Sequence, residues 1–362
     1  MGKGVLPSQA IEALLDAGAI KVAMPRDGDQ VQPSSLDLRL GAKAYRVRAS
    51  FLPGPGRTVE ARLESLSLHT IDLTDGAVLE TGCVYIVPLM ESLALPDAVS
   101  AAANPKSSTG RLDVFTRVIA DGVGAFDTIP AGYRGPLYAE ISPRTFPVLV
   151  RRGTRLSQIR FREGSARLSD AETLDLHRAA TLVASAEPVI HNGISVSVDL
   201  AGNGPGGLVG YRAKRHTGVI DVEKKAEYDI ADFWDPVTAS RDGSLILDPD
   251  QFYILASKEA VHVPPDHAAE MTPFDPLVGE FRVHYAGFFD PGFGHSAAGG
   301  TGSRAVLEVR SHEVPFILED GQTVGRLVYE RLSETPRQLY GTDIGSHYQA
   351  QGLKLSKHFR PA

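Results

Sequence analysis

Two halves of the chain can be laid over one another at a constant offset of 168 residues, and this self-similarity constrains the fold more than any other feature of the 362-residue sequence. The stretch "VLETGCVYIVPLMESLALP" (78–96) falls over "ILDPDQFYILASKEAVHVP" (246–264), setting Tyr85 over Tyr253 and Pro96 over Pro264. Further on, "LYAEISPRTFPVLVRRGTRL" falls over "VLEVRSHEVPFILEDGQTV", with Glu140 over Glu308, Pro147 over Pro315 and Gly153 over Gly321. A fixed period of this kind marks a duplicated structural unit, so the two halves are expected to share one fold.

The unit itself reads as mainly β. Runs such as "SSLDLRLG", "KAYRVRA", "CVYIVPL", "FTRVIAD", "LYAEIS" and "LSQIRF" are short, rich in β-branched and aromatic residues and separated by Gly, Pro and Asp. Strands of that length need a facing sheet to bury their alternate residues, which predicts a sandwich, barrel or jelly roll. A few short helices punctuate it. One is expected in "PSQAIEALLDAG", where Pro7 and Ser8 open the helix, Ile11, Leu14 and Leu15 share a face, and Gly18 closes it; another lies around "DAETLDLHRAATLVAS". The Gly-rich "AGNGPGG" reads as a connector. The expected organisation is therefore a first unit over 1–170, a connector over 171–215 and a second unit over 216–362.

Bulk composition narrows the function. A net charge of −7 argues against general binding to nucleic acid or to an anionic membrane surface, while leaving room for a local basic pocket. Cys83 is the sole cysteine and sits in an apolar run, so no intramolecular disulfide forms and a reducing, cytoplasmic setting is expected. No apolar run approaches the ~18 residues of a membrane span, and the N-terminus does not read as a signal peptide.

Chemistry concentrates in three places. The loop "PKSSTGR" gathers Lys106, Ser107, Ser108, Thr109 and Arg111, whose ammonium, hydroxyls and guanidinium all donate to anions such as phosphate. Its counterpart beginning at Pro273, "PFDPLVGE", lacks the cations and hydroxyls and carries carboxylates that would repel phosphate. Glu140 lies within the apolar strand "PLYAEIS", where a buried carboxyl could act as a general base. The polar tail "LYGTDIGSHYQAQGLKLSKHF" mixes Tyr340, His347, Tyr348, Gln351, Lys354 and Lys357, a composition that suits either a frayed end or a segment folding over a bound anion. No H-E-x-x-H, P-loop, G-x-S-x-G or strand-linked G-x-G-x-x-G occurs, and one cysteine cannot supply the P-C-x-x-C of a zinc deaminase.

Taken together, these stretches resemble the dCTP deaminases of the trimeric dUTPase-like fold, in an enlarged form with the unit duplicated. "IEALLDAGAI" is similar to the family's N-terminal helix, "VQPSSLDLRLG" to its early strand, "KSSTGRLDV" to its Arg-Ser-Ser-x-x-Arg loop, "DTIPAGYRG" to its hairpin, "PLYAEIS" to its glutamate strand and "HYQAQG" to its C-terminal lid. The resemblance implies two tandem units of the distorted jelly-roll (β-clip) type. It also implies zinc-independent hydrolysis of dCTP to dUTP and ammonia, supplying dUTP for pyrimidine deoxynucleotide synthesis. Glu140 would take the proton from water and pass it to the leaving amine, with Ser107 and Arg111 positioning that water. Lys106, Ser107 and Ser108 would hold the phosphates, Mg²⁺ would arrive on the triphosphate, Asp127 would belong to the hairpin, and Tyr340, His347 and Gln351 would belong to the lid. The resemblance further implies a trimer-based homo-oligomer, with dTTP as a possible regulator.

Lys106 stands where the family has Arg, and the first hairpin is longer than the family's, whereas "VHYAGFFDPGFG" in the second copy is closer to it. Two constructions of the site follow: loop with Glu140 of the same copy, or loop with the hairpin and Glu308 of the second copy. The expectation is Glu140, because loop and glutamate are then intact in one copy. Two rival activities remain: dUTP diphosphohydrolysis, alone or after deamination, with Asp127 activating water, and non-catalytic nucleotide binding by a regulator.

Overall fold

The computed structural model describes residues 2–185, 187–202, 205–273, 281–283, 287–296, 302–311, 313–341, 344–345 and 352–361. The chain is mainly β, with few and short helices. The duplication is visible strand by strand. Val99–Pro105 and His267–Pro273 keep the 168-residue offset at both ends, as do Arg155–Glu163 and Thr323–Arg331. Val84–Ala94 and Phe252–Val261 start on it, and Arg134–Pro143 and Ser303–Ser311 finish on it. Pairing registers are conserved too: Glu140 lies opposite Ile86, and Glu308 lies opposite Ile254. In each unit the antiparallel sheets leave one face for that unit's own core.

The expected connector over 171–215 is overturned, because most of it is the beginning of the second unit. Helix Asp170–Ala180, opened by a capping box between Ser169 and Glu172, corresponds to helix Ser8–Asp16. Strand Ile194–Ser197 pairs with Thr323–Arg331 as Leu36–Arg39 pairs with Arg155–Glu163, with Ile194 opposite Leu327 and Leu36 opposite Ile159. Leu208–Ala213 then lies on Phe252–Val261 as Lys43–Val47 lies on Val84–Ala94. Even a side-chain clasp is repeated. The Arg39 N–H and Nε donate to Glu91 at 2.8 Å each, and Ser197 donates to Glu259 through its N–H (2.8 Å) and its hydroxyl (2.6 Å). Loops of unequal length separate these early strands from the rest, so a comparison at one constant offset loses them.

The units share packing. Residues Ile220, Val222, Phe233, Trp234, Ile254 and Val306 are among the second-half residues, with Leu355 and Phe359 near the C-terminus, that share one core with first-unit residues such as Leu79, Val87, Phe146 and Val148. Ile220–Asp221 pairs parallel with Val148–Val150, and Trp234 meets Phe146 and Phe359 edge-on at 5.3 and 5.9 Å. A buried ionic cluster joins the opposite side, where Arg160 reaches Glu330 (3.5 Å) and Asp290 (3.7 Å), and Arg162 binds Glu330 at 2.6 Å.

Candidate active site at the junction of the units

Pro105 ends its strand, and Ser107–Gly110 wind into a single helical turn in which the Lys106 carbonyl accepts from the Thr109 and Gly110 N–H groups at 2.8 and 3.0 Å. That turn aims the loop's polar side chains at a cavity of about 530 Å³, a size typical of small-ligand sites. Lys106, Ser107, Ser108 and Arg111 all line it.

The opposite wall comes from the second unit. Strand alternation explains which residues reach it: Ala305, Leu307 and Val309 point into the second unit's core, so Val306, Glu308 and Arg310 point the other way, toward the first unit. Val306 joins the first-unit core, Glu308 lines the cavity, and the Glu308 carboxylate stands 3.9 Å from the Arg111 Nε. Arg310 forms a close ion pair with Asp113, two residues along from Arg111, and also donates to the Thr145 hydroxyl at 3.0 Å. The two halves of the site are thus laced by two contacts, Arg111 to Glu308 and Arg310 to Asp113, in each of which one unit supplies the guanidinium and the other the carboxyl.

The hairpin of the second unit makes the third wall. Gly287, Phe288, Phe289, Asp290 and Phe293 line the cavity together with Tyr340, and Phe293 packs on Phe289 (5.0 Å) and Tyr340 (5.8 Å). A side chain at Gly287 would come within 3.8 Å of the Ser107 hydroxyl, which places hairpin and loop in near contact. Asp290 is held by the Ser34 hydroxyl at 2.6 Å. Lys225 and Lys357 also line the cavity, as do Arg155, Asp29 and Asp37.

Glu140 and Asp127 do not line this cavity. Glu140 points outward from the same face of its strand as Tyr138, but in the first unit that face is sealed by the unit's own Val47, Phe51, Val59 and Leu63. There Glu140 is paired with Arg117 at 2.5 Å, whose guanidinium is also covered by Phe126. Asp127 is half-buried and accepts from the Val118 N–H at 2.7 Å. His347 and Gln351 lie outside the described residues. Of the sequence candidates, Lys106, Ser107, Ser108, Arg111, Glu308 and Tyr340 converge. Lys357, from the polar tail whose composition suits a segment over a bound anion, also lines the cavity, whereas Lys225 and the phenylalanines carry no site assignment from the sequence beyond the likeness of "VHYAGFFDPGFG" to the family's hairpin.

Burial sets the protonation. The Glu308 carboxyl is pushed up to about 8 by burial, against the pull of Arg111, so at neutral pH it holds a proton. Burial likewise raises Asp127 to about 7. Burial and the neighbouring Lys106 and Lys225 bring the Lys357 ammonium down to about 8. Among the described residues, no group of three or more His, Cys, Asp or Glu is arranged to hold a metal ion, and no helix is long and apolar enough to cross a membrane.

The family model for the N-terminal domain of 2'-deoxycytidine 5'-triphosphate deaminase matches residues 2–165, and the model for its C-terminal domain matches residues 169–359. A crystal structure of 2'-deoxycytidine 5'-triphosphate deaminase from Agrobacterium tumefaciens is 66% identical, with a TM-score of 0.89 over 93% of this chain and all of that one. Among curated proteins, "dCTP deaminase, dUMP-forming" of Methanosphaera stadtmanae is 30% identical over 43% of this chain and 78% of its own length. "dCTP deaminase" of Shewanella amazonensis is 29% identical over 44% of this chain and 83% of its own.

Proposed function

The chain belongs to the 2'-deoxycytidine 5'-triphosphate deaminase family, and from that premise we propose that it deaminates dCTP at the junction cavity with Glu308, not Glu140, as the proton carrier. The observation that carries this reading is the meeting of Arg111 and Glu308, 3.9 Å apart, in the cavity that also presents Ser107 and Ser108. Glu140, already neutralised by Arg117 outside the cavity, has no path to the same substrate.

Because Glu308 starts protonated, it can give its proton to cytosine N3, which makes C4 electrophilic. The resulting carboxylate takes a proton from water as the water oxygen bonds to C4. Glu308 then passes that proton to the exocyclic amine and recovers one from the new C4 hydroxyl; the C4–N bond breaks, ammonia leaves and C4=O forms. Each proton is accounted for, and Glu308 ends as it began. Ser107 and the Arg111 guanidinium orient the water and steady charge on the C4 oxygen. Phe289, Phe293 and Tyr340 supply apolar area for base and sugar.

Lys106, Ser107 and Ser108 would receive the phosphates. The chemistry proposed needs no zinc. Mg²⁺ would be carried by the triphosphate, since the cavity carboxylates are already engaged: Asp37 by Lys106 and Arg155, Asp29 by Arg155 (2.9 Å) and Glu223 by the Thr154 hydroxyl (2.6 Å). A second reading, further conversion of dUTP to dUMP and pyrophosphate, is favoured by the names of some relatives.

The test is incubation of the purified protein with dCTP and Mg²⁺, beside an EDTA control, with separation of nucleotides and assay of ammonia. Growth of dUTP with ammonia supports the proposal, and dUMP with pyrophosphate supports the second reading. Bound dCTP with no ammonia would leave a nucleotide-binding protein and refute turnover.

A further inference from the structure

Segment 354–359 packs behind the helical turn that carries Ser107, Ser108 and Arg111. Leu355 and Phe359 are buried in the core that the two units share. On one flank the Glu227 and Tyr228 N–H groups donate to the His358 carbonyl at 2.9 and 3.2 Å, and the Ala226 N–H donates to the Lys357 carbonyl at 3.0 Å. On the other flank the Lys354 carbonyl accepts from the Arg111 guanidinium at 3.0 Å, and the Ser356 hydroxyl stands 2.8 Å from the Ser108 carbonyl. The same hydroxyl stands 2.9 Å from the His358 Nδ1, and the ring reaches the Val222 carbonyl through Nε2 at 3.0 Å. Ser356 and His358 are both buried, so the chain Val222, His358, Ser356, Ser108 runs through the protein interior.

Counting protons along this chain leaves it one short. A carbonyl only accepts, so Nε2 carries the ring proton that faces Val222. Burial, with Lys357 beside it, brings the His358 ring down to about 4, so at neutral pH it holds that one proton and Nδ1 is an acceptor. The Ser356 hydroxyl has a single proton and two acceptors within reach, Nδ1 and the Ser108 carbonyl. Its proton is therefore divided between the ring and the turn. The Ser108 carbonyl belongs to the single turn Ser107–Gly110, so its hold bears directly on how Ser107 and Arg111 are aimed at the cavity. We propose that Ser356 is a positioning residue for the reaction, setting this turn through the Ser108 carbonyl, and that His358 tunes the hold by competing for the same hydroxyl proton. This rests on the reading of the cavity as a dCTP site and adds to it two buried residues that act on the substrate only through the turn.

The experiment measures amide hydrogen exchange of the full chain without nucleotide, alongside steady-state dCTP turnover, for wild type, Ser356→Ala, His358→Leu, His358→Gln and the double variant Ser356→Ala/His358→Leu. The reporters are the Thr109, Gly110 and Arg111 N–H groups, which donate to the Lys106 and Ser107 carbonyls; the N–H groups of Ala226, Glu227 and Tyr228, on the other flank, serve as reference so that shared loosening cancels. Ser356→Ala should speed exchange in the turn at least roughly fivefold relative to the reference, as for loss of one hydrogen bond. It should lower kcat by a similar or larger factor with a smaller change in KM, because orienting the attacking water tolerates less displacement than holding substrate does. His358→Leu commits the hydroxyl proton to Ser108, so the turn should exchange more slowly than in wild type; adding His358→Leu to Ser356→Ala should change nothing in the turn. His358→Gln, whose amide can donate to Val222 and accept from Ser356, should exchange as wild type does. Faster exchange in both Ser356→Ala and His358→Leu, or no change in either, would overturn the proposal and leave a buried scaffold. If the turn responds as expected but wild type releases no ammonia, the deaminase reading fails and the hold of Ser356 on the turn stands.

Discussion

At the residue scale, two glutamates at equivalent places in a duplicated strand have opposite surroundings. Glu308 faces an arginine across a cavity; Glu140 is clamped by Arg117 beneath an aromatic ring. Glu308→Gln should therefore lower kcat by about 10²–10⁴-fold, the range for loss of a general acid–base group, while dCTP still binds. Glu140→Gln should keep turnover within a few-fold of wild type, as steady-state kinetics on both variants would show. A pH effect on stability follows as well. Glu308 binds its proton up to about pH 8 in the folded chain, against an ordinary value of 4.5, so between those values the folded state holds a proton the unfolded state has released. The stability this contributes is complete below about 4.5 and is lost as pH rises through about 8. Denaturant titrations across that window should show the decline in wild type and its disappearance in Glu308→Gln. The repeat places both glutamates at one strand position, but only their neighbours distinguish Glu308, which lines the cavity, from Glu140, which is paired with Arg117.

At the scale of elements, the site depends on how the loop after Val99–Pro105 is registered against the strand Ser303–Ser311. The Asp113–Arg310 pair sets that register, with Thr145 bridging both partners: its hydroxyl donates to Asp113 at 2.5 Å and accepts from Arg310. Removing one partner leaves a buried charge, so Asp113→Asn or Arg310→Met alone should cost about 3–5 kcal/mol in urea unfolding. The double replacement should recover a large part of that loss, because neither charge then remains buried alone. The strands themselves were legible from alternation and turn residues. The early strands of the second unit were not, since unequal loops moved them off the constant offset, and "GISVSVDL" does not look like "SSLDLRLG" until Ile194 and Leu36 are seen on equivalent partners.

At the scale of the whole molecule, the two units cannot be separated without exposing core. Trp234, the sole tryptophan, is 1% exposed at the junction between Phe146 and Phe359. Its fluorescence should report unfolding with the same midpoint as far-UV circular dichroism if the halves unfold as one cooperative body. Deleting residues 353–362 would uncover the surfaces that Leu355 and Phe359 bury, about 3–6 kcal/mol for two such side chains, and would remove the carbonyl that Arg111 donates to. The truncated chain should melt at lower temperature and lose turnover together.

By itself the sequence determined that the chain is a duplicated β protein, that one copy carries a loop of cations and hydroxyls the other lacks, and that a glutamate sits at one strand position in each copy. Those properties are local: residue type, alternation and period are written along the chain. Which glutamate meets the loop was decided by tertiary structure, because the strand face that bears it is closed in one unit by that unit's own hydrophobic residues and in the other by its neighbour. The same packing set Ser356 against Ser108 and placed Lys357 in the cavity lining, since what a side chain reaches depends on surfaces contributed from more than two hundred residues away in sequence.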